Sequence, residues 1–142
     1  MPAFVGKFER TLDEKGRLVL PSKLREHLDG RGILTLVEQG CLALWPPDAF
    51  DEVSGKLAEL ARGDRAQQVA YRKFLSECAE IRPDGQGRVT LPEDLVEQAG
   101  LGGDVLVTGS DNRIEIWDAA RWTEVSSGSE PVLADMLAEV GF

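Results

Sequence analysis

One nine-residue string occurs twice, and any fold for this chain must house both copies. Asp13-Glu-Lys-Gly-Arg17-Leu-Val-Leu-Pro21 returns 71 positions later as Asp84-Gly-Gln-Gly-Arg88-Val-Thr-Leu-Pro92. Asp, Gly, Arg, an apolar residue, Leu and Pro keep their places. Leu24 then matches Leu95, and a one-residue insertion raises the offset to 72. At that offset Ile33-Leu-Thr-Leu aligns with Val105-Leu-Val-Thr, and Cys41-Leu-Ala-Leu-Trp45 with Arg113-Ile-Glu-Ile-Trp117. Phe50 and Val53 continue the match to Trp122 and Val125. Several coincidences in one order, with a single slip, mark an internal duplication.

Each copy reads as the same small unit. A strand (residues 4–12, or 78–83) runs into a glycine-containing turn, and a second strand follows (17–20, or 88–91). A three-residue connection such as Glu14-Lys15-Gly16 suits a hairpin whose last loop residue takes positive φ. Pro21 and Pro92 stop the second strand because proline cannot donate to a ladder. A short helix comes next (23–28, or 94–99), with Leu24 and Leu28 on one face and Gly30 and Gly100 as stops. Two further strands close each unit (33–37 with 42–45, and 105–108 with 114–117). Asp111-Asn112 forms the turn in the second pair.

Between the copies, Phe50, Val53, Leu57 and Leu60 fall at helical spacing after Pro46-Pro47, with Asp48 as the expected cap. A second helical period covers Val69, Ala70, Lys73, Phe74 and Glu77. At the C-terminus, Val132, Leu133, Met136, Leu137 and Val140 form an apolar stripe. It is expected to pack on the protein's own core or, failing that, to form a subunit contact. The expected organisation is a first repeat at 4–53, a helical linker at 54–77, a second repeat at 78–125 and a C-terminal helix at 126–142. The class is α+β, mostly β with short helices.

Composition narrows the function. No apolar run approaches the ~18–20 residues of a membrane span, and the first ten residues hold no signal-peptide core, so a cytoplasmic location is expected. Two cysteines and one histidine are too few for a zinc site of ordinary spacing. Cys41 and Cys78 read as small buried hydrophobes, although a disulfide between them is open on paper. Neither a metal nor another cofactor is expected. The net charge of −9 argues at first sight against nucleic acid, but residues 1–31 carry +2 and the remainder −11. The basic surface is local.

That surface surrounds the first repeated turn. Asp13 and Arg17, like Asp84 and Arg88, flank a short loop and can pair across it. A single exposed pair of this kind is worth about 0–1 kcal/mol and is usually only a solvated turn. Keeping it twice while neighbours diverge suggests a use. Arginine's rigid fork can bond two acceptors on a guanine edge, and a paired aspartate would orient it beforehand. Two-stranded ribbons are narrow enough for the major groove of double-stranded DNA. Lys7, Arg10, Lys15, Lys23 and Arg25 lie near the first turn, where they could meet phosphates. The second copy has Gln86, Asp94 and Val96 in place of Lys15, Lys23 and Arg25, so the first should carry more of the electrostatic binding.

The tandem Asp-x-x-Gly-Arg turns, the Cys-Leu-Ala-Leu-Trp-Pro segment and the Ile-Glu-Ile-Trp-Asp segment resemble the bacterial MraZ family over about residues 4–125. Each unit also resembles the swapped-hairpin DNA-binding domain of AbrB-type regulators. The resemblance implies an intramolecular pseudo-dimeric β-barrel and a nucleoid-associated transcriptional regulator of a cell-division and cell-wall gene cluster. It also implies binding to repeated promoter elements and ring-shaped homo-oligomers. Asp13, Arg17, Asp84 and Arg88 fall on the family's Asp-x-x-x-Arg positions. The start, Met-Pro-Ala-Phe-Val-Gly, is slightly longer than usual for the family.

Catalysis is not expected. Asp13 and Asp84 are related by the repeat, like the carboxylates of two-lobed acid proteases, but the arginine beside each favours ionisation. A shared-proton dyad needs the opposite environment. Phosphate loop and nucleophile-elbow motifs are missing, and no small-molecule substrate is implied. The alternative is a protein-interaction module of antitoxin type on the same fold. Against it stands the tail, which reads as a packed helix where antitoxin tails are usually disordered.

Overall fold

The structure is a computed structural model, and it describes residues 4–37 and 40–142. The longer start at Met1–Ala3 lies outside the described residues. Repeat one holds β1 (Lys7–Thr11), β2 (Arg17–Val19), α1 (Ser22–Arg25), β3 (Gly32–Val37) and β4 (Cys41–Trp45). Two helices follow, α2 (Pro47–Leu60) and α3 (Arg65–Glu77). Repeat two holds β5 (Ala79–Ile81), β6 (Arg88–Thr90), α4 (Glu93–Gln98), β7 (Asp104–Gly109) and β8 (Ile114–Asp118), and the chain closes with α5 (Ala119–Ser126) and α6 (Ser129–Glu139). The class is α+β, as expected.

β3 pairs with β4 and β7 with β8 inside each copy, but the remaining pairings cross the duplication. β1 lies antiparallel to β7, with Phe8 opposite Val107, and β5 lies antiparallel to β3, with Ile33 opposite Glu80. With β4 joined to β8, the six strands run β1-β7-β8-β4-β3-β5. β2 and β6 form a separate two-stranded ribbon. The expected closed barrel does not form: β1 and β5 are the two edges of an open sheet. Each edge strand is only three to five residues long. Past it the chain turns away into the ribbon, so the edges have no length left with which to meet.

This exchange gives one core to both copies. Leu18 with Val89, Leu20 with Leu91 and Leu24 with Leu95 are repeat-related pairs, and all six side chains are buried. Leu34, Leu42, Leu44, Val105, Val107, Ile114 and Ile116 extend the cluster from the central strands. A smaller cluster on another part of the sheet joins Cys41, Leu106 and Trp117 to Trp122 of α5, the two indoles 5.1 Å apart edge to face.

The register corrects the sequence alignment of the third strand. Ile33 sits opposite Trp45, whereas Leu106, not Val105, sits opposite Trp117. Leu106 is therefore the counterpart of Ile33, and Thr108 that of Thr35. Because strand side chains alternate between faces, one residue of slip exchanges core and surface.

The helices differ from expectation at their ends. Pro46 is the N-cap of α2 and Pro47 its first residue, so Asp48 lies inside the first turn and caps nothing. Asp64 caps α3 by accepting from the Gln67 N–H at 3.1 Å. Asp118 caps α5 through the Arg121 N–H at 3.2 Å. The C-terminal stripe is not packed on the core: α6 has no buried residue, and Val132, Leu133 and Met136 are more than half exposed. The compact tail invoked against the antitoxin reading is thus a helix that buries none of its residues among the described ones. No helix among the described residues is long and apolar enough to cross a membrane.

Candidate functional site

The two repeated turns are built bond for bond alike. In the first, the Asp13 carbonyl accepts the Gly16 N–H at 3.0 Å and the Asp13 N–H donates to the Arg17 carbonyl at 3.0 Å. One oxygen of the Asp13 carboxylate accepts the N–H groups of Lys15 (2.9 Å) and Arg17 (2.8 Å). Its other oxygen takes Arg17 Nε at 2.8 Å. In the second turn Asp84 holds Gln86, Gly87 and Arg88 in the same way, with every bond between 2.8 and 2.9 Å. Gly16 and Gly87 sit at φ +74° and +79°, left-handed backbone that a side chain would strain.

Both aspartates are held below the ordinary carboxylate range. For each the largest cause is the backbone N–H of the arginine four residues on, reinforced by that arginine's side chain and opposed by local desolvation. The carboxylates are therefore ionised at neutral pH, the opposite of what acid chemistry would need.

The turns cross-link at the base of the ribbon. Leu91 N–H donates to the Gly16 carbonyl at 2.8 Å, and Leu20 N–H to the Gly87 carbonyl at 3.0 Å. In the ribbon Leu18 faces Val89 in the core, while Arg17 lies opposite Thr90 and Val19 opposite Arg88. Strand alternation puts Arg17, Val19, Arg88 and Thr90 together on the outer face. Sequence reasoning expected a ribbon from each copy; the ribbon takes one strand from each. Each arginine spends its Nε on aspartate, and neither Nη nitrogen bonds within the described residues.

The other expected site residues separate into two groups. Lys7, Lys15 and Lys23 are exposed, and their ammonium groups make no ion pair among the described residues. Arg10 and Arg25 are half-buried and engaged with backbone. Arg10 crosses from β1 to the ribbon, donating to the carbonyls of Val19 (3.1 Å) and Glu9 (2.9 Å), with its guanidinium over the Phe8 ring. Arg25 donates to the Leu20 carbonyl at 3.1 Å through Nη1.

A polar network on the central strands was not anticipated. Glu115 is buried, and it accepts from Trp117 Nε1 at 3.1 Å and from Arg113 Nε at 3.0 Å, while Arg113 lies over the Trp45 ring. Trp45 Nε1 in turn donates to the Thr35 hydroxyl at 3.0 Å. Burial, with Glu115 nearby, pushes the Cys41 thiol up to about 12. Both cysteines are free thiols, Cys41 buried and Cys78 half-buried. The alternating charge of Arg113-Ile-Glu115-Ile-Trp117 was the available signal: period-two spacing puts those polar groups on one face.

Comparison with known proteins gives one answer along nearly the whole chain. The model of a family described as "MraZ protein, putative antitoxin-like" matches residues 3–73 and again 74–136. A protein of Symbiobacterium thermophilum named "Transcriptional regulator MraZ" is 39% identical over 138 residues, covering 97% of this chain and 100% of that one. The protein of that name from Frankia alni is 38% identical over 137 residues, 96% of each chain. The one from Acetivibrio thermocellus is 37% identical over 136 residues, 96% of this chain and 94% of its own.

Proposed function

Because this chain belongs to the MraZ family, we propose that it is a sequence-specific DNA-binding transcriptional regulator that reads double-stranded DNA with the β2–β6 ribbon. The relatives' shared name is that of a regulator, not of an enzyme. The observation that carries this reading is the doubled Asp–Arg turn. Two guanidinium groups on one exposed face are each fixed by aspartate at Nε and keep both Nη nitrogens for a ligand. Arg17 and Arg88 present those donors to base edges, Asp13 and Asp84 aim them, and Lys7, Lys15 and Lys23 meet phosphates. Arg10 steadies the ribbon from β1.

The targets in this reading are repeated promoter elements of a cell-division and cell-wall gene cluster, bound in the cytoplasm at the nucleoid. A subunit of charge −9 gains little from phosphate attraction alone. Several ribbons displayed side by side by a homo-oligomer, ring-shaped if head-to-tail contacts close, gain avidity on repeated sites. The exposed stripe of α6 supports that assembly. The same stripe favours one second reading, a protein-interaction module of antitoxin type that binds a partner through its tail.

Fluorescence anisotropy on the DNA upstream of the protein's own gene decides between them. Arg17→Ala should cost about 1–3 kcal/mol on that DNA and much less on scrambled DNA. Wild-type binding no tighter than to scrambled DNA removes the regulator reading at that promoter and puts the interaction module first.

A further inference from the structure

The two turns, alike in their hydrogen bonds, differ in a side chain that flanks them. The first turn is flanked by Val96, which packs against the common core. The residue in the corresponding position of repeat one is Arg25, and it faces the second turn. Its guanidinium occupies the space into which a Cβ on Gly87 would project, while Nη1 donates to the Leu20 carbonyl. Leu20 N–H is itself bonded to the Gly87 carbonyl at 3.0 Å. One side chain thus closes the loop α1–Leu20–Gly87. Gly87 is buried beneath it, whereas Gly16 is only half-buried, and a Cβ there would meet the Leu91 carbonyl and no side chain.

We infer that Arg25 is a positioning residue for the second turn: by clasping Gly87 to the end of β2 it fixes the direction of Arg88, and it does not act as a phosphate ligand. The two turns are then held by different chemistry. Apolar packing supports the first, which carries Lys15. A planar cation supports the second, whose own loop, Gly85-Gln86-Gly87, contributes no charge and little stiffness. A charge-assisted bond to a carbonyl is directional where apolar contact is not. The DNA consequence of this inference rests on the function proposed above; the effect on the turn does not.

Amide hydrogen exchange on the free protein tests the clasp. In Arg25→Ala the amides of Leu20, Gly87 and Arg88 should exchange about tenfold faster. Those of Gly16, Arg17 and Leu91 serve as internal controls and should not change. Equal change in both turns, or none in the second, overturns the inference. Arg25→Lys keeps the charge a phosphate contact needs but loses the planar group, so it should exchange like Arg25→Ala; full rescue by lysine overturns the clasp.

Promoter binding supplies the second arm. Arg25→Ala should weaken it about tenfold without altering the salt slope, whereas a lost phosphate contact lowers that slope by about 1. The loss should nearly vanish in an Arg88→Ala background and remain additive with Arg17→Ala. Additivity with both arginines, or a reduced slope, makes Arg25 a phosphate ligand and rejects the inference. If neither arginine variant affects binding, the ribbon reading itself fails, and the exchange experiment still decides the role of Arg25.

Discussion

The Asp13 carboxylate grips Arg17 twice, taking its backbone N–H and its Nε at 2.8 Å each with different oxygens. The backbone bond closes the turn and the side-chain bond aims the guanidinium, so shape and direction come from one residue. An exposed pair gains almost nothing in stability. In the proposed reading its value is orientation.

That division of labour has a titration signature. The backbone N–H is the larger cause holding Asp13 below the ordinary value, with the Arg17 side chain a lesser one. A depressed folded-state pKa means that the carboxylate's contribution is present above the unfolded value. It is lost only as pH falls through the folded value, hence below about 3.9. Carboxylate carbon shifts followed by NMR should give both Asp13 and Asp84 midpoints below that figure. Arg17→Ala should raise the Asp13 midpoint only part of the way and leave Asp84 where it was. Full return to the ordinary value would show that the turn opens without the side chain.

A second expectation concerns the start of the fold. Gly109 in β7 lies so close to the backbone of Phe4 and Val5 that a Cβ there would overlap it. Phe4 is a buried core residue bonded both ways to Asp111, at 3.1 and 3.0 Å. Gly109→Ala should therefore cost about 1–3 kcal/mol in urea unfolding, the range of an overpacked core. Gly55→Ala is the control. It sits inside α2 with nothing near its missing Cβ, and should stabilise by about 0.5–1 kcal/mol. A Gly109→Ala protein as stable as wild type would mean that the Phe4 segment contributes nothing.

The repeat was legible because Asp, Gly, Arg and Pro each answer a local demand: a carboxylate to close the turn, a residue free to take positive φ, a cation to pair, a strand stop. All of these lie within nine residues. Strand exchange was legible only through the family resemblance, whose swapped hairpins imply it, since β1 and β5 carry the same alternation whichever copy they pair with. For the same reason the third-strand alignment slipped by one: Val105-Leu106-Val107 is apolar throughout and offers no phase. Asp118 before two alanines is an N-cap signal, but only the structure made α5 a helix of its own. The bond from Arg25 to the Leu20 carbonyl was not legible, because charge alone does not reveal which backbone a long side chain covers. The stripe of α6 was read correctly as apolar and wrongly as packed; helical period tells which face is apolar, not what lies against it.

That bare stripe makes the last prediction. Val132, Leu133 and Met136 are 59%, 52% and 58% exposed on a helix without a buried residue. Substituting them removes no contact with the core, so Leu133→Asp with Met136→Asp should shift unfolding free energy by no more than about 0.5 kcal/mol. If α6 joins one subunit to the next, the same double variant should fall to the mass of a single chain in sedimentation velocity, where wild type is larger. It should bind one promoter element like wild type yet lose its advantage on tandem elements, because avidity requires linked subunits. A wild type that sediments as a monomer removes the assembly from the proposed mechanism and leaves the stripe to a different protein. A variant that unfolds early instead would place α6 against its own chain.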